Sequence, residues 1–193
     1  MSKSFFIIPG FKDSASDKQY QWLISHIKKN GWKPIVVPVV WNYRTLTQNA
    51  VDFVDFYHKN KGEENQILGF SYGAVVTLLS ATKVNPDHIY LCSLSPDFKE
   101  DFATMPNWLK KYIGKKRCED ILTRSAVTLA KELKVPATIF YSEKEAVDFP
   151  SIKKRAEETA KYAQDTKLII VSNSPHQIDS REYIESLKNN LRF

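Results

Sequence analysis

The chain has 193 residues, 42% of them apolar and 26% charged, with a net charge of +6. This length suits one domain with a full core, and the balance excludes disordered, collagen-like and coiled-coil chains. Two cysteines, Cys92 and Cys118, exclude a disulfide scaffold and a four-cysteine zinc site, and the even spread of both charge signs gives no nucleic-acid footprint.

In chain order, short apolar runs predict strands at Phe5–Ile8, Pro34–Val40, Gln66–Phe70, His88–Leu94, Ala137–Tyr141 and Lys167–Val171. Most are apolar on successive residues, the pattern of strands buried on both faces. Amphipathic stretches alternate with them. Tyr20, Leu23, Ile24 and Ile27 share one helical face before Asn30-Gly31. Val51, Val54 and Tyr57 mark a second helix, Tyr72 to about Lys83 a third, Asp120 to Leu133 a fourth, Ile152 to Gln164 a fifth and Tyr183 to Leu191 a sixth. Asp179 followed by Glu182 reads as a capping box for the last. Six alternations predict one three-layer α/β/α domain over residues 1–193, with about six parallel strands in doubly wound order. Residues 95–117 break the rhythm as a long, irregular, lid-like connection. The first apolar run is too short for a signal-peptide core and no run is long enough for a membrane span, so a cytoplasmic protein is expected.

The run ending at Phe70 passes into Gly69-Phe70-Ser71-Tyr72-Gly73-Ala74 and then an apolar helix. That is G-x-S-x-G between strand and helix, where a serine projects from a tight turn and small flanking residues make room for it. The helix N-terminus then aims free amides at negative charge developing beside Ser71.

With this elbow, the opening "FFIIPGF", the late strand "ATIFYSEKE" and the terminal "SPHQI", nearly the whole chain resembles the α/β-hydrolase superfamily, as a small member without a cap domain. The resemblance implies a Ser-Glu/Asp-His triad in the order nucleophile, acid, histidine. Among four histidines, His26 and His58 precede Ser71 in helix patterns that suggest surface positions. His88 opens a strand, whereas open parallel sheets build sites beyond the strands' carboxyl ends. His176, after the last strand, remains as the base. The stretch "YSEKEAVDFP" is similar to the family's acid loop, with Glu145 where the acid stands; Asp148 and then Asp97 are the alternatives, and Glu143 reads as a solvated carboxylate. A family oxyanion loop often shows His-Gly. Here Pro9-Gly10-Phe11 stands instead, so the Phe11 and Tyr72 amides are the expected oxyanion donors.

Trp41 and Tyr43, after one strand end, and Phe98, Phe102, Met105 and Trp108, on the long connection, are expected to line an apolar substrate pocket. Lys110, Lys111, Lys115, Lys116 and Arg117 form a basic cluster there that reads first as a solvated face. No phosphate loop, dinucleotide fingerprint or metal-ligand cluster appears, so neither cofactor nor metal is expected. The expected function is a serine hydrolase of small carboxylic esters with a small-molecule partner and no nucleic acid. Two alternatives stand beside it: a thioesterase on CoA or phosphopantetheine thioesters, and a non-catalytic binding protein on a hydrolase scaffold. The sequence is silent on oligomeric state.

Overall fold

The computed structural model describes residues 2–193. Six strands, β1 (Lys3–Ile8), β2 (Lys33–Val36), β3 (Glu64–Phe70), β4 (His88–Cys92), β5 (Ala137–Ser142) and β6 (Thr166–Val171), form one sheet in the order β2-β1-β3-β4-β5-β6. Every neighbouring pair is parallel. The chain reverses its direction of travel across the sheet between β1 and β3, and a crevice opens there at the strands' carboxyl ends.

Helices cover both faces. On one, α1 (Gln21–Lys29) and α10 (Arg181–Asn190) bury Leu23, Ile27, Tyr183 and Leu187 against Phe5, Ile7 and Phe140 of the sheet. On the other, α2 (Leu46–Asn60), α3 (Tyr72–Val84), α7 (Ala126–Glu132) and α9 (Pro150–Tyr162) pack on Phe6, Ile8, Ile67, Ile89 and Ile139. The central strands are apolar at successive positions because both of their faces are roofed. Among the described residues no helix is long and apolar enough to cross a membrane.

Several boundaries differ from the sequence expectation. Strand β2 stops at Val36 rather than Val40. It is an edge strand whose one neighbour, β1, ends at Ile8, and the last bond between them runs from the Val37 amide to the Ile7 carbonyl at 3.1 Å. Helix α2 presents Leu46, Ala50, Phe53 and Tyr57 to the core, while Val51 is exposed. The stretch 120–133 is two helices, α6 (Lys115–Leu122) and α7. Ser125 caps α7 by accepting from the Thr128 amide, and Arg124 between them donates to the Asp97 carbonyl. The cap of α10 is Ser180, which accepts from the Tyr183 amide, instead of Asp179. His26 is half-buried against Phe193, not a surface residue, whereas His58 is exposed.

The long connection is not irregular. It carries α4 (Lys99–Phe102), α5 (Asn107–Ile113) and the start of α6. Its anchor is a buried ion pair: Arg155 of α9 donates from Nε to Asp101 Oδ2 at 3.0 Å and from Nη2 to Oδ1 at 2.5 Å. Burial pushes the Asp101 carboxyl up even beside Arg155, so the pair fixes the position of α4 more than it adds net stability. Asp101→Ala removes the main partner of a fully buried guanidinium, leaving Glu158 at 3.1 Å. A loss of about 3 kcal/mol is expected in urea unfolding, at the low end for a broken buried pair.

Candidate active site

Strand β3 ends at Phe70, and Ser71 turns the chain into α3 with φ 55° and ψ −117°. A non-glycine residue is strained in that region, and the neighbours hold it there. The Ser71 amide donates to the Cys92 carbonyl at 2.8 Å. The flanking glycines are required by close approach: a Cβ on Gly69 would sit 2.2 Å from the Gly73 carbonyl oxygen, and one on Gly73 would sit 2.2 Å from that of Ile8. The elbow is therefore wedged between α3 and the end of β1.

His176 lies in the loop after β6, with its ring centroid 5.0 Å from that of Phe70. Its Nε2 is 3.1 Å from Ser71 Oγ. Its Nδ1 makes a hydrogen-bond contact with Glu145 Oε1. Glu145 is 1% exposed. It occupies the third position of α8 (Glu143–Asp148) in a capping box with Ser142: its Oε2 accepts from the Ser142 amide at 2.8 Å, and its own amide donates to Ser142 Oγ. The Ser142 hydroxyl in turn donates to the Ser174 carbonyl at 2.6 Å. One serine thus fixes the glutamate and ties its loop to the histidine loop. Sequence reading missed Ser142, although Ser142-x-x-Glu145 just past a strand carries the capping signal.

The other carboxylates stand elsewhere. Asp148 is exposed at the cavity rim. Glu143 is exposed but not merely solvated, since its Oε2 accepts from the Asn173 amide at 3.0 Å. Asp97 is buried and accepts from Ser95 Oγ. Burial pushes its carboxyl up to about 6, against the hydrogen bond from Ser95 and the pull of Arg124. A folded-state value above the unfolded one means that stability is fully present below roughly pH 4 and is lost as pH rises through about 6. Asp97→Asn is expected to remove this loss, narrowing the gap in urea-unfolding free energy between pH 4 and pH 7 relative to wild type.

His88 is buried at the amino end of β4, with Nε2 2.9 Å from Thr138 Oγ1, and burial lowers its pKa to about 4. It is at the opposite end of the sheet from Ser71.

Phe11 and Tyr72 border the hollow that contains Ser71 and His176. Tyr72 is the first residue of α3, so its N–H has no partner within the helix. The loop that carries Phe11 is braced by Tyr20, whose hydroxyl accepts from the Gly10 amide at 2.9 Å and donates to Asp13 at 3.3 Å. Nothing in the sequence marked Tyr20 beyond its place on an apolar helix face.

A cavity of about 710 Å³ opens on Ser71 and His176. Its apolar wall comes from Met105, Trp108 and Leu109 on one side and Phe149, Pro150 and Ile152 on the other. Of the six pocket residues expected from sequence, only Met105 and Trp108 line it. Phe98 is fully buried in the core, Phe102 packs in a small cluster with Met105 and Ile113, Trp41 lines a separate small hollow beside Tyr72, and Tyr43 is 95% exposed.

No protein-family model and no curated protein matches the sequence. Solved structures do match. Est1E from Butyrivibrio proteoclasticus superposes with a TM-score of 0.78 at 16% identity, over 97% of this chain and 86% of that one. An esterase from Pyrococcus furiosus gives 0.70 at 15%, over 97% and 78%. The mouse alpha/beta hydrolase domain-containing protein 10 gives 0.76 at 11%, over 98% and 88%. The chain has the α/β-hydrolase fold. In an α/β-hydrolase fold with the strand order seen here, Ser71 stands at the switch point between β1 and β3, where the fold's crevice lies.

Proposed function

We propose that the chain is a serine hydrolase that cleaves small carboxylic esters through an acyl-enzyme at Ser71. The observation that carries this reading is the unbroken run of contacts from Ser71 Oγ through His176 to the buried Glu145. A hydroxyl beside a neutral imidazole loses its proton to that ring as it attacks a carbonyl. The Ser71 Oγ–carbon bond forms, and the oxyanion meets the Phe11 and Tyr72 amides. His176 returns the proton to the departing alcohol as the ester C–O bond breaks. Water, deprotonated by the same ring, then cleaves the acyl-enzyme and restores Ser71. Glu145 holds the tautomer in which Nδ1 carries the proton, and steadies the imidazolium. The acyl group occupies the cavity between α5 and α9. The esterases among the structural neighbours agree with this assignment.

A fluorophosphonate probe tests it directly. The folded wild-type chain is expected to be labelled at Ser71, with p-nitrophenyl butyrate hydrolysis lost in proportion, and His176→Ala to be labelled far more slowly. Folded protein that neither labels nor hydrolyses the ester would instead favour the binding-protein alternative.

A further inference from the structure

Beside the catalytic hollow lies a second, basic groove of about 660 Å³, a volume suited to a small molecule. Phe11 is common to the linings of the two spaces. It borders the hollow of Ser71 and His176 and also walls the groove. In the groove, Lys12 Nζ and the Arg117 guanidinium stand 5.4 Å and 5.3 Å from the centre of its ring.

Three cations here spend their hydrogen bonds on neutral oxygens: Lys12 on the Tyr112 hydroxyl at 2.9 Å, Lys116 on the Tyr43 carbonyl at 3.1 Å, and Arg117 Nε on the Arg44 carbonyl at 3.0 Å. Arg44 pairs with Asp52, and Lys115 stands 3.8 Å from Glu119. Like charges gathered in one concavity repel, and a bound anion relieves that repulsion. Helix α6 aggravates it, because Lys115-Lys116-Arg117 fill its first turn, where the helix dipole favours anions. The rim is aromatic, with Tyr43 95% and Tyr112 59% exposed. Lys12 and Tyr43 both hold left-handed backbone, at φ 65° and 59°, a conformation costly for bulky residues and concentrated at functional sites.

We propose that this groove binds the phosphate-bearing end of the substrate's leaving group, a nucleotide whose phosphates meet Lys12, Lys116 and Arg117 and whose base stacks on Tyr43 and Tyr112. Exposed aromatic rings beside cations are the chemistry that holds nucleotides without hydrogen-bond readout of the base. The proposal rests on the hydrolase reading of Ser71 for its catalytic part. The acyl carbon bonds to Ser71 Oγ, its bond to the leaving sulfur or oxygen breaks, and that atom leaves with the proton from His176. Water then releases the acid.

Binding and turnover test it separately. Adenosine 3′,5′-bisphosphate titrated calorimetrically into the Ser71→Ala protein is expected to bind saturably, and more tightly than adenosine or inorganic pyrophosphate. Lys12→Asn/Lys116→Gln, with asparagine chosen because it tolerates left-handed backbone, is expected to weaken that binding by about tenfold or more, and raised salt to do the same. In turnover, kcat/KM for butyryl-coenzyme A is expected to exceed that for S-butyrylpantetheine, which lacks the nucleotide, and the double variant to collapse that ratio toward one. No binding of the bisphosphate to folded protein, equally tight binding of pyrophosphate, or a ratio untouched by the double variant would overturn the proposal. Intact bisphosphate binding in a wild-type chain that hydrolyses neither thioester nor p-nitrophenyl butyrate would overturn the hydrolase reading while supporting the groove.

Discussion

Replacing Ser71 with alanine is expected to lower kcat for a small ester by roughly 10⁴–10⁶-fold while leaving the fold in place. The side chain is small, makes its one side-chain hydrogen-bond contact with His176, and its backbone amide bond to Cys92 survives the change. Alanine also bears the left-handed turn no worse than serine does. His176→Ala is expected to cost a similar factor, since a serine hydroxyl without a neighbouring base is a weak nucleophile. The double variant should then be scarcely slower than either single one, because both groups serve the same proton transfer. The measurement is kcat on p-nitrophenyl butyrate for the four proteins, with circular dichroism to confirm folding. Losses that multiply would mean that Ser71 and His176 act in separate steps.

Glu145→Gln is expected to lower kcat by about 10⁴, the loss seen when a serine protease's orienting carboxylate becomes an amide. The geometry gives the reason. One glutamate oxygen accepts from the Ser142 amide and the other faces His176 Nδ1. A glutamine has a single oxygen. If that oxygen keeps the capping bond, its NH₂ faces the ring, and Nδ1 must become an acceptor. The proton then sits on Nε2, the nitrogen that has to receive from Ser71. Glutamine still completes a capping box, so α8 is retained and the deficit is catalytic. Asp148→Asn, at the exposed rim, is expected to leave kcat nearly unchanged. Equal rates for Glu145→Gln and wild type would exclude Glu145 as the orienting acid.

The sheet was legible because its central strands carry an unmistakable signal: β3 and β4 are buried along almost their whole length. The same logic failed where burial is one-sided or ends early. Val39 and Val40 continue the apolar run of β2, but β1, the strand beside it, ends at Ile8 and leaves them nothing to pair with. The apolar rhythm from Ile121 to Leu133 runs across the break at 123–125, because helices α6 and α7 bury their apolar residues in succession and a serine cap inside such a stretch looks like one more polar position. The proposed triad residues follow three different strands, Ser71 after β3, Glu145 in the first turn of the helix after β5 and His176 in the loop after β6, and each was readable from its place just past a strand end. Pocket residues lack any such landmark. Whether Phe98 or Phe149 faces the cavity depends on how α4, α8 and α9 pack, and that is decided by contacts distant in sequence, such as Asp101 with Arg155.

The tight fit of Gly73 beneath the Ile8 carbonyl has a further consequence, for folding. The elbow's strained backbone is held by β1 and by the Cys92 carbonyl of β4, one far before Ser71 in the chain and one well after it. No local fragment contains both supports. The strained turn therefore has both of its supports only once β1, β3 and β4 are aligned. During refolding, nucleophilicity at Ser71 should appear in step with the last global phase and never ahead of it.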